Sequence, residues 1–135
     1  MSALKEKTSD TEKITINLGY VDLGRIDLLV QEGFYSNRTD LIRTAIRNQL
    51  AIHGDALRHS VARRTLVVGL QDYGRRELEA ARDAGERLRI QALGLVRIAD
   101  DVTPELALEV IESITVLGVL QAAPRLRAAL AGRIH

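Results

Sequence analysis

The sequence predicts an α+β protein in two parts, a strand with two helices in front and a strand–helix repeat behind. The first part is indicated by the strict polar–apolar alternation of residues 13–18 (KITINL), followed at once by two segments with helical periodicity. The second part is indicated by three aliphatic runs, each with one glycine, at Gly69, Gly94 and Gly118, which are 25 and 24 residues apart. Residues 54–64 are polar and basic and form the predicted linker.

The alternating segment 13–18 needs a partner strand. A lone strand leaves its backbone groups and its apolar face unsatisfied, and no second strand follows within hairpin reach. We therefore predict that the strand pairs with its own copy in a second subunit, which makes the chain an obligate dimer. In that arrangement Lys13, Thr15 and Asn17 form a row on one exposed face.

Two amphipathic helices follow the strand. Apolar residues recur at helical spacing over residues 20–31, and Gly33 follows where a left-handed C-terminal cap is expected. The second helix opens after Ser36 or Asn37, since either can cap its free N–H groups, and Asp40 suits its positive end.

The C-terminal part reads as repeated strand–helix units. The aliphatic runs are residues 64–70, 89–96 and 113–120, and the helix-like segments are residues 75–88, 103–112 and 124–130. This pattern predicts parallel strands buried side by side, with helices on one face. A compact sheet-and-helix ligand-sensing domain is an equal alternative, especially if residues 88–98 split into two strands. Either way, residues 65–135 are expected to serve oligomerisation or regulation.

Composition narrows the classes of protein. The 135 residues include no cysteine, so the chain can form neither a disulfide framework nor a thiolate metal site. The longest apolar run, residues 114–120, is too short to cross a bilayer, and residues 1–10 hold no apolar export segment. We therefore expect a soluble, cytoplasmic protein. Residues 1–64 carry ten basic and eight acidic residues, a balance compatible both with nucleic-acid binding and with an ordinary solvated surface.

Catalytic and ligand-binding motifs are weak. Residues 69–76 follow a strand and open a helix as a phosphate-binding loop does, but the required Lys-Ser/Thr is absent. Asp100 and Asp101 precede a Thr-Pro helix start and are more typical of a turn than of a metal site. His53 and His59 are six residues apart, a spacing that does not place zinc ligands on one helical face. We predict no catalytic residue, metal or cofactor. The single Phe and absent Trp also argue against single-stranded nucleic acid.

Residues 11–53 resemble the ribbon-helix-helix superfamily of DNA-binding proteins, which contains the Arc, MetJ and CopG-like repressors. The resemblance rests on the order and spacing of the strand, the first helix, the Gly33-Phe34-Tyr35 turn and the start of the second helix at residues 37–47. One departure is Gly19, where many relatives carry proline. The resemblance implies an intertwined dimer in which two strands pair antiparallel and enter the DNA major groove.

The alternation then assigns the strand side chains to two faces. The apolar residues point into the dimer core, and the residues expected to read the bases are Lys13, Thr15 and Asn17. Lysine can donate to guanine, asparagine can bind adenine through two hydrogen bonds, and the threonine methyl suits thymine. An ordinary half-exposed edge strand with solvated polar residues is the alternative explanation.

The start of the second helix is the predicted phosphate site. Free N–H groups and the positive end of the helix dipole attract phosphate, and the residues expected to contact the DNA backbone are Ser36, Asn37, Arg38 and Thr39. Asn37 and Thr39 acting only as helix caps is the alternative, and both roles can coexist. Lys5 and Lys7 are candidates for further phosphate contacts, with a solubilising tail as their alternative.

Together these features predict a sequence-specific regulator of transcription that binds double-stranded DNA as a homodimer, with repression as its expected effect. The C-terminal unit is expected to extend the assembly to a tetramer or higher, to receive a regulatory input, or both. One alternative is an antitoxin that autoregulates its operon, although residues 65–130 look self-folding rather than like a tail that folds on a toxin. Another is a DNA-binding scaffold that polymerises through the repeat.

Overall fold

A computed structural model describes residues 11–135 and divides the chain into two compact units, Met1–Leu57 and Arg58–His135. The boundary between the units falls inside a helix, Gly54–Arg63. The predicted linker of residues 54–64 is therefore helical, which corrects the expectation of a simple connector. Its polar sequence is that of a solvated helix, with Asp55 in the first turn and Arg63 in the last, as the helix dipole favours.

The first unit contains helices α1 (Tyr20–Gln31) and α2 (Arg38–Ile52), and helix α3 (Gly54–Arg63) follows. The predicted left-handed cap at the end of α1 is confirmed, because Gly33 has a φ of +88°. The N–H of Phe34 donates to the carbonyl of Leu29 at 3.0 Å and closes the last turn. The turn after α1 therefore depends on glycine at this position.

The second unit is a three-stranded parallel sheet in the order β1 (Val67–Tyr73), β2 (Leu88–Ile98) and β3 (Ile111–Gln121). Helices α4 (Arg75–Asp83), α5 (Pro104–Val110) and α6 (Pro124–Ala129) follow the strands in turn, and a 3₁₀ turn over Ala131–Arg133 ends the fold. Residues 88–98 form one continuous strand, so the split that would have favoured the compact sensing domain does not occur.

The three repeated glycines lie side by side in the sheet. Gly69 is in register with Gly94, and Gly94 with Gly118, at φ values of +125°, +141° and +124°. A Cβ atom at Gly94 would collide with the carbonyl oxygen of Gly69, and one at Gly118 would collide with that of Gly94. The repeat in the sequence therefore has a direct cause, because only glycine combines this backbone conformation with so close an approach of neighbouring strands.

The core lies between the sheet and the helices. It is formed by alternate residues of β2, such as Ile90 and Val96, and by apolar residues of α4, α5 and α6, such as Leu78, Val110 and Leu126. The helices α4 to α6 thus cover one face of the sheet, as the repeat predicts.

Strand β1 departs from the expected burial. Val67 is 50% exposed and Val68 is 64% exposed, although their side chains alternate between the two faces of the sheet. The prediction that all three aliphatic runs are buried is therefore wrong for β1. The reason is its position at an edge that no described segment bridges, whereas the other edge strand, β3, is bridged by Ile134 of the C-terminal segment.

The acidic pair Asp100–Asp101 forms a turn, as the sequence indicates. The Asp101 carboxylate accepts a hydrogen bond from the backbone N–H of Arg75 at 3.2 Å, at the first residue of α4. This carboxylate occupies the helix N-terminus where the phosphate of a loop-bound nucleotide would lie. No helix within residues 11–135 is both long enough and apolar enough to span a membrane.

Candidate nucleic-acid interface

The segment predicted to read DNA bases, residues 13–18, is fully exposed to solvent in the single chain. Residues 11–19 have no strand partner within one subunit, and the side chains of Lys13, Thr15 and Asn17 are all exposed. The alternating apolar side chains are exposed as well, with Ile14 at 72% and Ile16 at 60%. Pairing of this segment across a dimer stays a prediction.

The whole described part of the first unit lacks a buried interior. None of residues 11–57 is buried, and large apolar side chains of both helices, such as Leu28 and Leu50, are more than half exposed. By contrast, the second unit has a core of fully buried aliphatic side chains. A unit this small gains stability mainly by burying apolar surface, and the described residues of the first unit leave that surface exposed.

The start of α2 is capped by side chains on both sides of its first turn. The Asn37 side-chain oxygen accepts from the backbone N–H of Asp40 at 2.8 Å, so Asn37 is the cap residue and Ser36 is not. The Asp40 carboxylate in turn accepts from the N–H of Ser36 at 3.0 Å. Within residues 11–135, the backbone N–H groups of Arg38 and Thr39 have no hydrogen-bond acceptor. These two groups are the ones left for an external anion.

The Arg38 side chain is held by a residue that the sequence did not single out. Its Nε donates to Asp27 Oδ1 at 2.7 Å and its Nη2 to Asp27 Oδ2 at 2.8 Å, which ties the start of α2 to α1. These hydrogen bonds lower the pKa of the Asp27 carboxyl and raise that of the Arg38 guanidinium, so both stay charged. Both side chains are substantially exposed, and the remaining N–H groups of Arg38 can still reach a phosphate.

The predicted phosphate residues therefore lie together in one turn, but their roles differ. Asn37 caps the helix, Ser36 donates its N–H to Asp40, and Arg38 pairs with Asp27. Thr39 is exposed. Lys5 and Lys7 lie outside the described residues. The nearby carboxylates of Asp27 and Asp40 weaken the positive potential that the helix end would otherwise present.

The two histidines do not form a metal site with neighbouring acids. His53 Nε2 lies 3.4 Å from Gln49 Nε2, one turn earlier in α2. Among residues 11–135, no group of three histidine or acidic side chains is placed to hold a metal ion.

The first unit thus contains, in chain order, a segment of alternating polar and apolar residues, helix α1 with its glycine cap, and helix α2 with its asparagine N-cap. The model of the ribbon-helix-helix transcriptional regulator family matches residues 9–127. The chain belongs to this family. The match extends through all three strands of the second unit and into α6, so both units of this ribbon-helix-helix regulator fall within the family pattern. No curated protein and no solved structure matches the chain. Ribbon-helix-helix regulators bind DNA and typically dimerise.

Proposed function

We propose that this regulator is a homodimeric repressor that inserts an antiparallel β-ribbon, formed by residues 13–18 of two subunits, into the DNA major groove. Lys13, Thr15 and Asn17 read the bases from the outer face of the ribbon. The proposal rests on the exposure of the first unit, in which none of the described residues is buried. Along residues 13–18 the exposed apolar side chains alternate with polar ones. Pairing two such segments covers the apolar face and leaves the polar row outside.

The start of α2 supplies the second part of the proposed interface. The free N–H groups of Arg38 and Thr39 bind a backbone phosphate, and the Arg38 guanidinium approaches the same phosphate. These contacts position the ribbon and carry no sequence information, so specificity lies with the strand residues.

The sharpest test selects DNA fragments that bind the full-length protein from a random pool. We expect a palindromic or tandem motif, because a two-fold protein presents two equivalent ribbon faces. Asn17→Ala should then weaken binding to the selected site by roughly 5- to 150-fold for each half-site, the loss expected for one bidentate base contact per subunit. The matched control is Asn48→Ala, the same substitution at an exposed position of α2.

Two results would contradict the proposal. If Asn17→Ala keeps both affinity and sequence preference, the strand does not read bases. If no motif emerges from the pool at physiological salt, the protein is not a sequence-specific regulator. Repression itself is tested with a reporter gene placed behind the selected site, whose expression should fall when the protein is present.

The antitoxin alternative has less support. An antitoxin commonly carries a polar tail that folds on the toxin, whereas residues 66–130 contain a packed core of their own. Co-purification of a stoichiometric small protein encoded next to this one would reverse the preference.

A further inference from the structure

The second unit has an apolar sheet face that nothing in its own core covers. In β2, Ile90, Ala92, Val96 and Ile98 face the helices, so Leu93 and Leu95 face the opposite side. Strand register places the equivalent residues of β1 and β3 beside them. The outer face, as we call it, is formed by Val68, Leu70, Leu93, Leu95, Leu117 and Val119.

These side chains form two complete rows across the sheet, one on each side of the glycine row. Val68, Leu93 and Leu117 are in register in the first row. The second row contains Leu70, Leu95 and Val119. No member of either row is buried or packs against the core. Parallel sheets occur almost only with both faces covered, and a contiguous apolar face of this kind marks an interaction surface.

The charged and polar side chains around the outer face indicate which kind of partner it binds. The row beyond Leu95 contains Arg97 and Asp72, which are joined by hydrogen bonds of 2.7 Å and 3.0 Å and carry no net charge together. On the other side, Gln91 lies beside Thr115 in β3 and accepts from Thr65 at 3.4 Å. An apolar centre with a neutral polar rim has the anatomy of a protein–protein interface. It lacks the unpaired basic residues that a second DNA surface or an acidic peptide would require.

We propose that the outer face of one chain packs on the outer face of a second copy, so that two sheets stack with their helices outside. A neutral face meets its own copy without repulsion, and each row supplies aliphatic side chains that can interdigitate with the same row of a partner. A second copy is also close at hand, because regulators of this family typically dimerise. The proposal concerns the second unit and does not depend on DNA binding.

The absence of cysteine from the chain allows a direct test with single-cysteine variants of the full-length protein. Val68→Cys probes the outer face, and Val67→Cys is its matched control, since Val67 is a neighbouring half-exposed valine whose side chain points to the opposite face. In the absence of DNA, we expect the thiol at position 68 to react with a maleimide at least about tenfold more slowly than the thiol at position 67. If Val68→Cys does not fold, Leu117→Cys replaces it.

A second measurement identifies what covers the face. Single cysteines at each of the six outer-face positions are treated with a short bismaleimide that spans about 10 Å, the spacing of stacked sheets, and at least one should crosslink two copies, because residues near a two-fold axis meet their own mates. Val67→Cys should not. Equal labelling rates at positions 67 and 68 would show an uncovered face and overturn the proposal. Slow labelling without a crosslink at any of the six positions would show a different cover and overturn it too. Neither result bears on the Asn17→Ala test of DNA reading.

Discussion

Arg38, the first residue of α2, donates two parallel hydrogen bonds of 2.7 Å and 2.8 Å to the carboxylate of Asp27 in α1. The pair fixes the start of α2 against α1, close to the turn that we propose binds phosphate. It also places a carboxylate beside the one guanidinium of that turn. In the proposed complex, a DNA phosphate therefore competes with Asp27 for the Arg38 guanidinium.

Removing the carboxylate should strengthen DNA binding. In Asp27→Asn the Arg38 side chain is released from its anion, so we expect tighter binding to any DNA sequence. The slope of log affinity against log salt should steepen by about 0.9 for each Arg38 that gains a phosphate. Titrations at several salt concentrations measure this slope. Asp22→Asn is the control, because Asp22 lies on the same helix with only a loose 3.6 Å pair to Arg25. An unchanged slope in Asp27→Asn would show that Asp27 does not compete with DNA for Arg38.

Loss of the α2 cap should destabilise the first unit. Asn37→Ala removes the acceptor for the Asp40 N–H, and we expect the free energy of unfolding to fall by about 0.5–2 kcal/mol per chain. Urea unfolding at a fixed protein concentration measures the change, since the stability of a dimer depends on concentration. Asn48→Ala, within the same helix and away from its cap, should leave stability nearly unchanged or raise it slightly. Equal losses in both variants would contradict the capping role.

The glycine that departs from the family pattern should tolerate proline. Gly19 has a φ of −65°, the value that proline imposes, and a Cβ there meets nothing within 4 Å. Gly19→Pro should therefore stabilise the protein by about 0.4–1 kcal/mol, by restricting the unfolded chain. Gly24→Pro, inside α1, is the contrasting variant and should cost about 3 kcal/mol or more. Thermal unfolding compares the two. Destabilisation by Gly19→Pro would mean that its N–H donates a hydrogen bond in the assembled ribbon.

The central glycine of the sheet should be irreplaceable. Gly94→Ala combines a strained φ of +141° with a collision against the Gly69 carbonyl, so we expect the second unit to lose at least about 3 kcal/mol. Circular dichroism during urea unfolding measures the loss. Gly132→Ala is the control in the same unit, because a Cβ at Gly132 meets nothing within 4 Å. A native midpoint in Gly94→Ala would show that neighbouring strands can move apart at this row.

The ion pair at the end of the outer face should make stability sensitive to acid. Hydrogen bonds from Arg97 hold the pKa of the Asp72 carboxyl below its ordinary value of 3.8, so the charged form favours the folded state. Its contribution is present at neutral pH and is lost as the pH falls through the lowered pKa. Asp72→Asn should therefore lower the melting temperature slightly at pH 7, and the difference from wild type should narrow below about pH 4. In an Arg97→Gln background the difference should vanish at every pH. A difference that stays constant between neutral and acidic pH would contradict this assignment.

Much of the local structure follows from short-range patterns. The bounds of α1, the left-handed cap at Gly33 and the capped start of α2 all lie where periodicity and turn residues indicate. Each is determined by interactions between residues at most a few positions apart, which a sequence displays directly. The helix over residues 54–63 was not predicted because Gly54 directly after α2 and the polar, basic sequence indicated a connector.

Other features of the site could not be found in this way. Asp27 and Arg38 are 11 residues apart on different helices, and nothing in their spacing identifies them as a pair. The half-exposed state of β1 likewise cannot be read from its aliphatic sequence, which resembles that of the central strand. It depends on the position of β1 at a sheet edge that no described segment bridges, since the other edge strand, β3, is bridged by Ile134.

The sequence by itself determined the family, the alternation of Lys13, Thr15 and Asn17 with apolar residues, and the periodic glycines, because each depends on local order and spacing along the chain. The tertiary structure alone decided that Arg38 is paired with Asp27 and that the three glycines share one row of the sheet. It also decided that two rows of aliphatic side chains face away from the core. These relationships join residues distant in the chain, and only the register and packing of the folded elements bring such residues together.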